Sequence, residues 1–523
     1  MLSAAAVPAA AQAVAGVGED AVPLPARGWR LSLGAQWDQW DRRLLGTGET
    51  GPLLGGLATP SLGVAQLPAL QAAETGIGAL TGGDFTLSLG ALEARGAVRR
   101  ASTLLQAEVG LTRRVSLGVR VPYVEVVHDA QLVLNREGTG ANVGRNPALG
   151  GAGANTNGQV LTQLDAAIGS LTSDIAACAD GGTGAVCDAI NADPAAASAL
   201  LARARGFADA WRTVYGAAGA PGAPGVPVAG SDAHNAIGTS LASLSDAFST
   251  YGATNVPRTH AGAVFVYGTT GLQQIAQDSA FGLNADTLDR AFRAGMGDLD
   301  LEARVLLFDR WRTDQAARLT SGLSGVRVLA SAGWRFGTAS SAQVNQPFAL
   351  ATGDGVSALL LRTTADLVWR RWFWVSVTAR GTLPRPDQAV VRVPGFDVPD
   401  RFFEGRLVSA ERSLGRRVDL EVAPRLNLGE KLGVSASWSL RQLGGDRYVT
   451  ADGETLRTPS GTAQFGAIGV TYSTLAPFVR GNSRHPVDVM FVHEVALSSS
   501  GVIVPSLVRD RIELRVYPGF PRR

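Results

Sequence analysis

The side chains best able to move protons in this 523-residue chain are five histidines: His128, His234, His260, His485 and His493. They are scattered. None stands at a metal-ligand spacing with Cys, Asp or Glu, so no metal site is expected. No G-x-S-x-G turn raises a serine nucleophile. The glycines of 148–153 lack the preceding strand and following helix that cradle a dinucleotide, and they read as loop. A hydrolytic site assembled across strands would start from His493-Glu494 or His128. The chain is nevertheless expected not to be an enzyme, and no cofactor is expected.

The denser signal is charge in alternation with apolar residues. In Gly297–Phe308, GDLDLEARVLLF, Leu299, Leu301, Ala303, Val305 and Leu307 share one face of an extended chain. Asp298, Asp300, Glu302 and Arg304 share the other, because successive strand side chains point to opposite sides. The pattern recurs with Arg362 and Asp366, with Asp419, Glu421 and Arg425, and with Glu513 and Arg515. A soluble sandwich gives such alternation with charge in water. A membrane barrel gives it with lipid outside and a polar lumen inside.

Composition narrows the choice. Hydrophobic residues make up 46% of the chain, yet no run of ~18 apolar residues occurs, which argues against membrane helices. Net charge is +2, and Lys431 is the only lysine. With no basic cluster beside stacked aromatics, nucleic acid is not an expected partner. The N-terminal MLSAAAVPAAAQA ends in Ala11-Gln12-Ala13, an A-x-A cleavage signature without a charged leader, so 1–13 reads as a signal-peptide remnant and the chain as exported. In that setting Cys178 and Cys187 favour one local disulfide, with two buried thiols the alternative.

Strand patterns fill 14–127 and 297–523. They include Gly28–Trp40, Asp84–Leu111 read as one long bent strand, Val326–Phe336, Leu359–Trp369, Val418–Leu426 and Ile503–Tyr517. Between them, 128–296 is a long loop in which the period changes to 3.6. Leu161, Leu164, Ile168, Leu171, Ile175 and Cys178 form one helical stripe. Asp193-Pro194, a cap followed by Pro at the first helical position, opens a second. The helices are expected at about 158–178, 194–215 and 236–251. This insertion reads as a large surface loop, a cap, a plug or a partner-binding knob.

Connections decide between sandwich and membrane barrel. Tight turns near Arg113, Arg370-Arg371 and Leu428–Lys431 alternate with long segments at 41–83, 128–296, 337–355, 380–415 and 442–460. Outer-membrane barrels sort short periplasmic turns from long outside loops in this way. Trp29, Trp369 and Phe373 fall near one boundary and Trp37, Trp334 and Trp438 near the other, as two aromatic girdles would. The expected fold is therefore all-β: an antiparallel transmembrane β-barrel of about 12 strands, with 14 the alternative, bearing a helical insertion in a long extracellular loop. The outer membrane is its expected location, and its lipid an expected partner.

GLTRRVSLGVRVPYV and GMGDLDLEARVLLFDRW carry a resemblance. Gly110, Leu111, Thr112, Arg114, Leu117, Gly118, Val119 and Pro122 match a strand-turn-strand motif, and Gly295, Gly297, Asp298, Leu301 and Arg304 a second strand motif. On these the chain resembles bacterial outer-membrane transporters of the phenol-degradation (MetA-pathway) type, distantly similar to FadL and the toluene channels. The helical insertion and the C-terminal YPGFPRR, where a terminal aromatic is usual, depart from that pattern. The resemblance implies a channel or transporter for small molecules, hydrophobic or aromatic ones included, folded by the barrel assembly machinery. Asp298, Asp300, Glu302, Arg304, Arg362, Asp366, Asp419, Glu421, Arg425, Glu513 and Arg515 are the expected lumen-lining residues. The alternative is a structural barrel displaying its helical insertion to a surface partner; a barrel hydrolase is a third reading.

Overall fold

The computed structural model describes residues 21–519 apart from 22–23, 139, 150–151, 218–219, 279–282, 311–324, 341–344, 371–372, 394–398, 430 and 480. The expected signal remnant at 1–13 lies outside them. The chain divides into two compact units: one of Met1–Gly56, Ala94–Gln131 and Ala285–Arg523, the other of Leu57–Glu93 and Leu132–Asn284.

The first unit is built on thirteen antiparallel strands: β1 Trp29–Trp40, β2 Leu92–Gly110, β3 Val115–Leu134, β4 Ala291–Met296, β5 Leu299–Asp309, β6 Gly325–Phe336, β7 Ala358–Arg370, β8 Phe373–Pro384, β9 Arg417–Leu428, β10 Leu432–Leu443, β11 Gly461–Ser473, β12 Val487–Ser500 and β13 Val508–Val516. β3 pairs β5 through Val115–Arg120 and β4 through Tyr123–His128, so β4 continues β5 beyond a break at Gly297-Asp298. The order β3-β5-β6-β7-β8-β9-β10-β11-β12-β13-β1-β2 closes when β2 pairs β3, giving a ring of twelve positions. The sequence expectation of twelve holds.

β1 starts and β13 finishes at the same end of the ring. There Arg27 N donates to Gly110 O (2.7 Å) and Trp29 N to Pro518 O (3.0 Å). Leu24, Leu475, Phe478 and Tyr517 form a small apolar cluster within this unit. The tight turns β2–β3, β7–β8 and β9–β10 lie at that end; the long connections leave from the other, hereafter the loop end. At the tight-turn end the β11–β12 connection, 474–486, is long as well, and so is β5–β6, which between Arg310 and Gly325 lies outside the described residues.

The polarity of the wall is inverted relative to a soluble protein. Outward Trp29, Leu33, Trp37, Trp438 and Ile468 are 40–62% exposed. Their inward neighbours Arg30, Gln36 and Asp38 are under a tenth exposed. Water on that outer face would leave a ring-wide apolar band uncovered; lipid covers it, so the barrel spans a membrane. At ~3.4 Å per residue, the nineteen residues of β2 and twenty of β3 reach roughly 65 Å. Even tilted they overrun a ~25 Å apolar band, so both project beyond the bilayer at the loop end.

Several boundaries differ from the sequence reading. Residues 85–91 are not strand, although Phe85, Leu87 and Leu89 alternate. Their backbone bonds go elsewhere: Leu87 N donates to Glu74 Oε2 (2.7 Å), Ser88 N to Asn142 Oδ1 (2.8 Å) and Leu89 N to Leu62 O (2.8 Å). Gly90, at φ +104°, turns the chain out of that run. β3 continues past His128. The segments read as loops hold structure of their own. Asp387–Val393, Arg406–Ser413, Arg447–Thr450 and Thr455–Arg457 make a four-stranded sheet at the loop end. Arg42–Leu44 joins Thr50–Pro52 and Val504–Pro505 in another.

The second unit is helical: α1 Gln71–Thr81, α2 Ala152–Ala179, α3 Ala185–Ala192, α4 Pro194–Tyr215, α5 Asp232–Ser249 and α6 Thr269–Gln277. The 3.6-residue stripes are its core, with Val160, Leu164, Ala197, Trp211, Ile237 and Phe248 fully buried. Asp193 caps α4 by accepting from Ala196 N (2.9 Å), and Ser231 caps α5 by accepting from His234 N (3.3 Å). Cys178 and Cys187 are disulfide-bonded. Cys187 lies on α3, a short helix between the first two expected helices. α1 falls within the 41–83 segment read as loop; it packs closely on α4, where a Cβ on Gly76 would stand 2.8 Å from Val214.

Inside this unit His260 stacks on His234 (ring centroids 4.3 Å apart) and meets Trp211 and Tyr215 edge-on. Burial, then the neighbouring His234, pulls its pKa down to about 4. The unfolded chain therefore takes up this proton first, near the ordinary histidine value of about 6.5. Acidification between those values favours unfolding, by up to about 3 kcal/mol. Amide protection factors in α4 and α5, taken relative to the intrinsic exchange rate at each pH, should fall as pH drops from 6.5 to 4, and His260→Phe should remove most of that dependence. For the barrel, Leu33→Arg places a charge on the lipid face and should cost up to about 2–4 kcal/mol, depending on depth, in urea unfolding from bilayers. Indifference to that charge would argue for a solvated outer surface.

Candidate functional site: the charged barrel interior

Alternation sends every second residue of each strand inward, and closure brings those residues together. The charges assemble into bands that run around the wall. In the first, Arg30 of β1 pairs with Glu108 of β2, which also meets Arg304 of β5 (3.3 Å). Arg304 Nε donates to Glu302 (3.3 Å), and Glu302 pairs with Arg362 of β7. Ser116 of β3 donates to Glu108 (2.6 Å) and Ser331 of β6 to Glu302, so six consecutive strands are tied together.

A second band takes the other side. Arg509 of β13 donates to Asp38 of β1 (2.7 Å) and to Glu494 of β12 (3.1 Å). Glu494 also accepts from Arg441 of β10 (3.1 Å), whose guanidinium lies 3.8 Å from the Phe465 ring centroid on β11. Shorter links close the gaps: Arg327 to Asp366 (3.0 Å), Ser376 to Asp366 (2.8 Å) and Arg380 to Glu421 (2.6 Å). Among the described residues the wall is a mosaic of paired opposite charges.

Of the eleven sequence-selected residues, Asp300, Glu302, Arg304, Arg362, Asp366, Asp419, Glu421, Arg425, Glu513 and Arg515 lie on inward strand positions. Asp300 accepts from Arg335 (2.8 and 3.1 Å), and Arg515 Nε donates to Glu513 (2.7 Å). Asp298 differs. It precedes β5 and accepts from Ala339 N (3.2 Å), Asp354 N (2.8 Å) and Gly355 N (3.2 Å), holding the β6–β7 connection. Sequence reading passed over Arg30, Asp38, Glu108, Arg327, Arg335 and Arg509. Each obeys the same alternation; Arg30 and Asp38 share β1, and Arg327 and Arg335 share β6.

Between the bands is open space. Gln106, Arg120, Asp300, Glu302, Arg335, Leu360, Arg362, Arg380, Thr382 and Asp419 line a cavity of about 80 Å³ that opens to solvent. Asp419 Oδ1 has no hydrogen-bond partner there among the described residues. Toward the loop end, the wall meets an aromatic cluster. Phe348 stacks on Phe402 (5.3 Å), Phe403 packs edge-on to Phe402, and Phe348 O lies 2.9 Å from His128 Nδ1.

The histidines do not assemble a hydrolytic centre. His493 and Glu494 are chain neighbours on a strand and so face opposite sides. Glu494 points inward, whereas His493 points outward and meets Asp510 of β13 (2.8 Å). The outward positions of β11, β12 and β13 that flank it carry Ile468, Phe491 and Ile512, none a nucleophile. Among the described residues no three His, Cys, Asp or Glu side chains converge as a metal site would require.

No family model matches the chain, and no curated protein does. Solved structures of membrane barrels do. An outer membrane channel from Pseudomonas putida is 8% identical, with 96% of this chain and 98% of that one covered and a TM-score of 0.42. A FadL homologue from Pseudomonas aeruginosa is 8% identical over 99% and 100% (TM-score 0.30), and the toluene transporter TodX of Pseudomonas putida 10% over 99% and 98% (TM-score 0.27). Likeness this slight says nothing of what passes through this barrel.

The bands give a direct expectation. Glu108 is 1% exposed and neutralises Arg30 and Arg304. Glu108→Gln takes the carboxylate from Arg30 and leaves Arg304 with Glu302, and should destabilise the barrel by about 3–5 kcal/mol. A Glu108→Gln, Arg30→Met double variant should recover part of the loss, read as the urea midpoint of the heat-modifiable gel band.

Proposed function

We propose that this chain is an outer-membrane channel for small molecules, folded into the bilayer by the barrel assembly machinery. The observation that carries the proposal is a solvent-open cavity lined by polar and charged side chains inside a barrel whose outer face is apolar. A filled barrel would spend its inward positions on packing. Here ten inward residues surround solvent-connected space. The solute would meet the aromatic cluster of Phe348, Phe402 and Phe403 and then the charged wall, an order suited to a molecule with an aromatic or other apolar body and a polar end. Movement would be passive, driven by the concentration gradient, with no bound cofactor taking part.

The second reading is a barrel that serves as a scaffold for the helical unit. Its supporting observation is the extent of ion pairing around the wall, which stiffens a ring without requiring passage. Flux separates the two. Purified protein in planar bilayers should give discrete conductance steps, and in liposomes it should admit small aromatic solutes faster than sugars of equal mass. Silence in both assays would remove the channel reading and leave the scaffold.

A further inference from the structure

We propose that residues 345–356 form a crossbar gate over the loop end of the barrel, that its Asp354 occupies an arginine site for carboxylates, and that a small-molecule carboxylate opens the gate by taking Asp354's place. The inference rests on the channel reading above and deepens it.

The geometry is a span held from opposite walls. Asp354 accepts from Arg417 Nη1 (3.1 Å) and Nη2 (3.4 Å) of β9, and from Arg335 Nη1 (3.5 Å) of β6. Two residues earlier, Thr352 O accepts from Arg100 Nη2 of β2 (3.1 Å). In the ring, β2 and β9 stand six positions apart in either direction, so they are diametrically opposed. Arginine side chains thus reach residues 352–354 from opposite walls, while the β4–β5 break holds the same residues through Met296 and Asp298. They are buried: Thr352 has no exposure, and the Asp354 side chain retains 5%. Asp298 holds the backbone at Asp354 and Gly355, while Thr352 Oγ1 donates to Met296 O (2.7 Å). Gly353 permits the approach, since a Cβ there would stand 2.7 Å from Asp298 Oδ2. Phe348 anchors the near end against His128 and Phe402.

The bar is held by exchangeable contacts. Arg417 presents two donors to a single side-chain carboxylate, the fork geometry that also takes a free carboxylate. A ligand carboxylate reproduces those bonds, and an aromatic body attached to it would meet Phe348 and Phe402. A neutral molecule of the same size cannot replace the charge.

The test is single-channel recording of the full chain and of Asp354→Asn, with sodium benzoate or benzyl alcohol as added solute. The open fraction of Asp354→Asn should rise on the order of tenfold, the effect of weakening a charge-assisted contact. Benzoate should open the unmodified protein and act on Asp354→Asn at lower concentration, because Asn competes less well for Arg417, and benzyl alcohol should act on neither. Equal open fractions for the two proteins would overturn the gate. Equal action of benzoate and benzyl alcohol, or none by either, would overturn the carboxylate site. Should neither protein conduct, the channel reading has failed, and amide exchange of 345–356 decides the latch separately. Faster exchange in Asp354→Asn and with benzoate supports it; unchanged exchange refutes it. Arg417→Lys, which keeps the charge and loses the fork, serves if Asp354→Asn does not give the heat-modifiable barrel.

Discussion

Everything in the first unit depends on the pairing of β2 with β3. Within hydrocarbon no water satisfies an open strand edge, so a sheet is stable there only as a ring. That pairing joins the ends of the sheet, and the rest follows from it. Closure gives each strand an inside and an outside. The two-residue period then assigns every side chain to lipid or lumen, and the inward charges are close enough to neutralise one another across strands. Tight turns at one end keep neighbours in register; the other end is free to carry long connections. The interior charges are tolerable only because they are paired. A buried ion pair adds little net stability over a well-packed apolar pair, but removing one partner is costly. The bands of opposite charge thus fix which strand sits beside which.

The strands were legible from sequence because their environment is uniform along their length. Asp300, Glu302 and Arg304 alternate with Leu301 and Ala303, and a barrel wall treats each pair of positions alike. The helical stripes were legible for the same reason, down to the Asp193-Pro194 start of α4. What could not be read was any position whose partner is distant in sequence. Phe85–Ala91 alternates as a strand would, but its bonds are taken by Leu62, Glu74 and Asn142. Asp298 shares the parity of Asp300, yet it holds a loop, because the strand breaks one residue before it. The small sheets at the loop end are made of two-to-eight-residue runs, and Ala410–Ser413 with Arg447–Thr450 and Arg43–Leu44 with Val504–Pro505 pair across separate connections.

The outward pair of His493 and Asp510 marks the limit of linear reading most clearly. In sequence His493 belongs with Glu494. In space a strand's pleat separates those two by the thickness of the wall, and the partner of His493 is its cross-strand neighbour. The same rule explains why ten inward charges could be chosen as a class while the partners of several, Arg335 for Asp300, Glu108 for Arg304 and Arg327 for Asp366, went unselected. Membership of a face is local information; partnership across it is not.

Lys431, the chain's only lysine, lies exposed in the turn between β9 and β10. Every other cationic side chain of the wall is a guanidinium, which ordinary amine chemistry leaves alone. Apart from the α-amino terminus, the molecule therefore offers a single address for a succinimidyl ester, and that address sits at the end where the strands turn tightly. A bulky, membrane-impermeant ester applied to whole cells would report the barrel's orientation from one covalent mark, without an engineered tag.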